Sequence, residues 1–408
     1  MPTHHDTLSA RTAGTLFAAG QYLRGPGRVA TPDGVLAELE RLGFVQVDSI
    51  NIVERAHHHI LWSRLPGYRP AMLDALQTSG RVFEHWTHDA SIIPSSLFPQ
   101  WRHRFPRVTS WAWSKWLQTK LGGDRDRVLE SVLNRVRTEG PLMARDFDAD
   151  GHVSGSWWDW KPAKAALEYW WRGGRLAIAR RENFHKVYDL TERVLPHVHG
   201  SPATSEEEHI DWACRSALER LGVATPRELA SFWSAVPAIA AATWCAAAVR
   251  RGEVVPVTVE SDHGPDRAAF AWSDWPQRAK HAADLAAHVP RGSLRLLSPF
   301  DPLVRDRSRC FRLFGFDYRF EAFTPEKKRK FGYYVLPILE HTSDCVRLVG
   351  RLDPKLDRDA GVLRVRRVWW EPGIKVTSAR RRSLHAALAA YAEFNEAKSV
   401  HLGRTNRI

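Results

Sequence analysis

Residues 161–190 read KPAKAALEYWWRGGRLAIARRENFHKVYDL, and the fold follows from how this stretch changes period. Over Lys161–Trp171, Ala165, Leu167, Trp170 and Trp171 recur near helical spacing, and Gly173-Gly174 stops the helix. Leu176–Arg180 and Phe184–Tyr188 then form two short strands around Arg181-Glu182-Asn183. Upstream, Arg127–Thr138 carries a stripe of Val128, Val132, Leu133 and Val136. The turn Glu139-Gly140-Pro141-Leu142 leads into a short helix through Phe147. Helix, turn, helix, then hairpin is the winged-helix plan, with the third helix placed to read a DNA groove.

The same plan recurs on either side. N-terminally, Leu8–Leu23 reads as a helix and Arg24–Gly27 as a break. Thr31-Pro32-Asp33-Gly34 opens a second helix, Val35–Leu42, which Gly43 closes. Phe44–Asp48 alternates as a strand, and Asn51–Leu65 reads as the third helix. On the C-terminal side a helix at Glu206–Arg220, a short one opened by Thr225-Pro226 and a third at Val236–Arg250 precede strands at Val254–Val259 and Ala268–Trp272. After Pro290 the pattern turns to short strands: Leu294–Leu297, Cys310–Phe314, Tyr318–Phe323, Tyr333–Leu339, Cys345–Arg351 and Leu363–Trp369. Arg381–Lys398 is a closing helix. The division expected is 1–120, 121–200 and 201–290 as winged-helix domains and 291–408 as a small barrel or sandwich.

Charge narrows the partner. The 408 residues carry 59 Lys and Arg against 46 Asp and Glu, a formal net charge of +13. From Arg295 onward 24 basic residues face 13 acidic ones, which puts +11 on that last stretch. Such a balance favours a polyanion, because neutralising phosphates releases condensed counterions. A solvated basic surface reads the same way from charge alone. No stretch reaches the roughly 20 apolar residues of a membrane helix, and the N-terminus lacks a secretory pattern. Four scattered cysteines make neither a zinc spacing nor a disulfide framework, so a reducing cytoplasm is the expected compartment. Walker A, HExxH and G-x-S-x-G patterns with triad partners are absent.

Gln46-Val47-Asp48 is the first candidate for chemistry. On a strand, residues two apart share a face, so an amide and a carboxylate would project together. That pair can orient a water and stabilise a developing cation, as hydrolysis of an N-glycosidic bond requires. Taken alone, it reads first as a polar strand end with Asp48 capping the next helix. His57-His58-His59 follows, with Glu54, Arg55 and Trp62 close enough to share a pocket. Consecutive helical residues diverge by about 100°, so the three histidines cannot all ligate one metal. His197-Val198-His199 would aim two imidazoles one way if extended, and is otherwise a polar linker. Tyr318–Phe323 and Phe331–Leu336 bracket Thr324-Pro325-Glu326-Lys327-Lys328-Arg329-Lys330, a hairpin with a basic tip suited to a DNA groove, or an exposed basic turn. Asp146, Asp148 and Asp150 superficially offer a nuclease-like carboxylate cluster but read as a loop.

Three stretches together resemble the AlkZ/YcaQ family of bacterial DNA glycosylases, also described as winged-helix DNA-binding domain proteins. They are GFVQVDSINIVERAHHHILWSRLPGY (43–68), KPAKAALEYWWRGGRLAIARRENFHKVYDLTERVLP (161–196) and SPFDPLVRDRSRCFRLFGFDYRFEAFTPEKKRKFGYYVLPIL (298–339). The resemblance implies an α+β fold of three tandem winged-helix domains in a C-shaped scaffold, with a C-terminal β-barrel-like region. It implies excision of N7-alkylated purines from double-stranded DNA, interstrand crosslinks included. Gln46 and Asp48 match the family's Gln-apolar-Asp form of the catalytic motif, associated with broad tolerance of adducts. The 318–336 hairpin is the match to a family element near the minor groove, and His197-Val198-His199 resembles a His-apolar-His element. A monofunctional enzyme without metal or cofactor is expected, monomeric and associated with the nucleoid. The competing reading is a non-catalytic winged-helix transcriptional regulator, which would need no carboxylate facing DNA.

Overall fold

The computed structural model describes residues 6–23, 30–150, 162–261, 263–343 and 345–403, the side chains of Trp111 and of 148–150 excepted. The expected break at Arg24–Gly27 lies outside them. The chain is a mixed α+β fold that divides into two compact units, one of Met1–Arg69 with Ile210–Ile408 and one of Pro70–His209. Residues 70–120, grouped from sequence with the first winged-helix stretch, therefore sit in the second unit.

The second unit holds the clearest sequence reading. Helices Arg125–Glu139 and Pro162–Arg172 bury Leu129, Val132, Leu133, Val136, Ala165, Leu167 and Trp171 in one core. Strands Leu176–Glu182 and His185–Leu190 pair antiparallel, and Leu142–Met143 adds an edge strand against Tyr188 and Val187. Asn183 and Phe184 both take positive φ, 47° and 70°, the twist a two-residue hairpin turn demands. A second hairpin, Val82–Trp86 with Ala90–Pro94, lies upstream.

Helix Glu206–Leu221 enters the first unit at Ile210, and helices Pro226–Trp233 and Ala238–Arg250 then precede the hairpin Val254–Val259 and Arg267–Trp272. Thr225 and Glu228 form a complete capping box with Pro226 at the first helical position, so this helix start was written in the sequence. Val223–Ala224 and a short strand Asp6–Leu8 complete that sheet, the latter parallel to Val257–Val259. Leu8 was expected to begin a helix but ends this strand; the helix is Ala10–Gly20, capped by Ser9.

The C-terminal region is a half-barrel sheet of five strands. Leu294–Leu296, Leu336–His341, Val346–Asp357 and Val362–Trp370 run antiparallel, and Ser399–Leu402 closes the edge in parallel. Helix Ser378–Phe394 buries Leu384, Leu388 and Tyr391. Two expected strands are not strands. Cys310–Phe314 lies in helix Arg307–Phe314, started by Asp306, whose side chain accepts the Arg309 N–H, and ended by Gly315 at φ 64°. Tyr318–Phe323 is irregular backbone.

Candidate functional site

Gln46 ends the two-residue strand Val45–Gln46 and is buried, while Asp48 is half-buried. Because the strand stops at Gln46, alternation does not set the direction of Asp48. Its Oδ1 accepts the Ile50 N–H at 2.7 Å, a local side-chain turn. Nor does Asp48 cap the next helix, which is Ala56–Trp62 with Arg55 at its N-cap. The expected helix Asn51–Leu65 starts late because other groups take its first carbonyls. The Leu356 N–H bonds Ile52 O at 3.2 Å, and the Arg358 guanidinium bonds Val53 O at 2.8 Å and Asn51 Oδ1 at 2.9 Å. A loop of 47–55, clamped by the C-terminal sheet, therefore carries the carboxylate.

Tyr334 links Asp48 to a second carboxylate, Glu54. Glu54 accepts the Arg55 N–H at 2.7 Å; burial raises its pKa, opposed by that bond and by the charges of Arg55 and Arg358. Tyr334, fully buried, brings its hydroxyl within electrostatic reach of both carboxylates. Burial pushes its pKa up, and Asp48 and Glu54 push it further. Ser298 lies beside this hydroxyl, which makes no hydrogen bond of good geometry to protein. Tyr334 was not foreseen; it lies nearly 290 residues from Asp48, and only its aromatic character in KFGYYVLP marked it.

The histidine triplet does not act as one group. His59 is fully buried, its Nε2–H donating to Leu296 O at 3.0 Å and its ring 4.8 Å from that of Tyr391. Burial lowers its pKa to about 4, with the Leu296 carbonyl opposing. His58 pairs through Nδ1 with the Tyr68 hydroxyl at 2.8 Å, and burial, then Arg55, lowers its pKa to about 3. His57 is buried with its ring 4.1 Å from that of His58. Trp62 stacks on Phe394 at 5.3 Å and lines a cavity of about 310 Å³ with Leu294 and Ala387; Gln46, Asp48 and Glu54 do not line it.

The basic hairpin expected over 318–336 does not form, because Glu321 turns inward. Its carboxylate accepts the N–H groups of Lys330 at 2.9 Å, Phe331 at 2.8 Å and Gly332 at 3.3 Å, donors a partner strand would have used. The strand begins only at Leu336. Lys327, Lys328 and Lys330 stand exposed, while Arg329 donates to Thr324 O at 2.8 Å and lies 4.9 Å over the Tyr333 ring. His197 and His199 belong to the second unit and occupy a turn, not an extended run. His199 O accepts from Arg102 at 3.0 Å, and its imidazole lies 3.8 Å from Glu192. Asp146 accepts the Met143 N–H at 2.7 Å; the side chains of Asp148 and Asp150 lie outside the described residues. Among the described residues, no helix is long and apolar enough to cross a membrane.

A family model described as DNA glycosylase AlkZ-like matches residues 39–394, nearly the whole chain. Among solved structures, the Streptomyces sahachiroi DNA glycosylase AlkZ matches with a TM-score of 0.62. The match covers 97% of this chain and 99% of that one at 13% identity, a likeness of fold. The protein is thus a DNA glycosylase, a hydrolase of N-glycosyl bonds that acts on DNA in repair. It belongs to the AlkZ-like DNA glycosylase family.

Proposed function

We propose that the enzyme releases N7-alkylated purines from duplex DNA, bulky adducts and interstrand crosslinks among them, with Gln46 and Asp48 as its catalytic pair. The observation that carries this reading is Asp48 itself. It is a partly exposed carboxylate fixed by the Ile50 N–H, two residues after a buried amide, at the head of a clamped loop.

An N7-alkylated purine carries positive charge, so it departs without being protonated. The C1′–N9 bond breaks with its electron pair going to the base, and an oxocarbenium sugar develops. Asp48 stabilises that cation, as carboxylates do in sugar hydrolases, while Gln46 orients a water toward C1′. As the water oxygen bonds C1′, its proton passes to Asp48 and then to solvent. An abasic site and a free base result. The motif holds no lysine, so no Schiff-base step follows. A crosslinked base cannot swing into a sealed pocket, which favours an open cleft over deep flipping. Three winged-helix stretches, the first without residues 70–120, would hold the duplex through its phosphates, in a monomer associated with the nucleoid.

Incubation with a duplex containing 7-methylguanine, followed by alkali, tests this. Wild-type protein should give strand breaks at the lesion, and Gln46→Ala and Asp48→Ala should each lower the single-turnover rate roughly 100-fold or more. Undiminished excision in both variants removes the pair from the reaction. Binding without excision on any alkylated duplex removes the substrate class.

A further inference from the structure

We infer that Phe323 is a wedge that enters the base stack of the bound duplex beside the Asp48 site, an inference that rests on Asp48 marking the reaction centre. Among the described residues three large apolar side chains are exposed, and Phe323 is the most so, at 87%. Ile239 is a lone aliphatic side chain, and the Phe311 ring is stacked on His263 at 4.8 Å.

The Phe323 ring is aimed by its surroundings. It meets Phe320 edge to face at 6.1 Å, and Phe320 meets Tyr334 in the same way at 6.0 Å. Tyr334 is the phenol that Asp48 and Glu54 both reach. An exposed ring thus stands two aromatic steps from Tyr334, and one step further from the candidate carboxylates, on the same unit of the fold.

The loop that presents it is built to hold still. The Thr324 N–H bonds Glu321 O at 2.9 Å, the Lys328 N–H bonds Pro325 O at 2.8 Å, and the Arg329 side chain returns to Thr324 O. Glu321 then gathers the amides of 330–332. Gly332 sits at φ 144°, where a Cβ would come within 2.7 Å of the Asp353 carboxylate, so the loop closes at a point only glycine accommodates. A ring 87% exposed on a fixed loop is available to an apolar partner at little ordering cost. Lys327, Lys328 and Lys330 follow it, and they bring a polyanion. The apolar surface that nucleic acid offers is the face of its bases, so ring and cations together specify a base step opened next to the phosphates.

The test uses a duplex with 2-aminopurine beside 7-methylguanine, and the same duplex with guanine in its place. Binding of wild-type protein should raise the 2-aminopurine fluorescence as the step unstacks. Phe323→Ala should abolish the rise and lower kcat/KM roughly tenfold, with the salt dependence of binding unchanged. Phe323→Trp should restore both. No rise with wild-type protein, or an undiminished rise with Phe323→Ala, overturns the wedge; the second result leaves a different role for the ring, such as docking another protein. Because unstacking is read without chemistry, an enzyme that unstacks the lesion but excises nothing refutes the proposed reaction and spares the wedge. An unaltered melting temperature for Phe323→Ala confirms that the fold is intact, as expected for so exposed a side chain.

Discussion

Arg64 and Asp301, 237 residues apart in sequence, meet as a two-pronged ion pair, Nη1 to Oδ2 at 2.7 Å and Nη2 to Oδ1 at 3.1 Å, with both side chains at most 1% exposed. The same guanidinium donates to Gln21 O at 2.9 Å and Ile60 O at 3.1 Å, and Asp301 also accepts the Leu303 N–H. The pair fastens the segment bearing the histidine triplet to the one that opens with SPFD and carries Tyr334. These are two of the stretches that carry the family resemblance, and their joining keeps the Asp48 loop and Tyr334 in one place.

Asp301→Ala should therefore destabilise strongly. It leaves an uncompensated buried guanidinium, at a cost of about 3–5 kcal/mol. Replacing both partners, Arg64→Met with Asp301→Leu, should cost clearly less than the single change, since no charge is stranded. Urea denaturation of the three proteins measures the difference. A single variant as stable as wild type would show the pair to be dispensable.

Tyr334→Phe separates structure from chemistry at the site. The hydroxyl is buried without a well-formed hydrogen bond to protein, so removing it should leave stability unchanged or slightly raised. If the phenol orients Asp48 or its water, the single-turnover rate should fall about tenfold while the affinity for 7-methylguanine duplex holds. Equal rates for the two proteins would make Tyr334 a packing residue only.

What the sequence disclosed and what it hid follow one rule. Elements with local punctuation were legible: the helix opened by Thr225-Pro226, Thr31 accepting the Gly34 N–H, and three members of the expected stripe, Val132, Leu133 and Val136, beside which Leu129 is buried in place of Val128. Elements decided by distant partners were not. YRFEAF alternates like a strand, but Glu321 was needed inward to gather three amides, and the strand never forms. Arg307–Phe314 did carry its signals, Asp306 before it and Gly315 after it, yet the apolar run between them was read first. At the site, Gln46 and Asp48 were nameable from their motif. Tyr334 reaches Asp48, and Arg358 clamps the loop at Asn51 and Val53, only through tertiary folding, and no spacing in the chain predicts that.

His59 gives the fold a pH dependence of known sign. Its pKa falls from 6.5 to about 4 on folding, so it is neutral in the native core and charges more readily when unfolded. Its contribution is complete above pH 6.5 and is lost as the pH falls toward 4. For this residue alone the loss between pH 7 and pH 5 is about 2 kcal/mol. His59→Gln should be less stable at pH 7, where it lacks the ring packed on Tyr391, and should show a flatter decline between those pH values. An equally steep decline in the variant assigns the effect to other groups.

The exposed lysines of the 324–330 loop predict a salt slope. Lys327, Lys328 and Lys330 are exposed, Lys330 with its ammonium 5.1 Å over the Phe331 ring, whereas Arg329 is held by a hydrogen bond to Thr324 O as well as by the Tyr333 ring. Each phosphate contact contributes roughly 0.9 to the slope of log K against log salt concentration. Replacing the three lysines by alanine should therefore lower the magnitude of that slope by about 2–3, alike for damaged and undamaged duplex, because phosphates are the same in both. Replacing Arg329 should change the slope little and instead loosen the loop, lowering the melting temperature. A triple variant with the wild-type slope would place the DNA backbone elsewhere on the protein, and Phe323 could then no longer be reading the bases beside it.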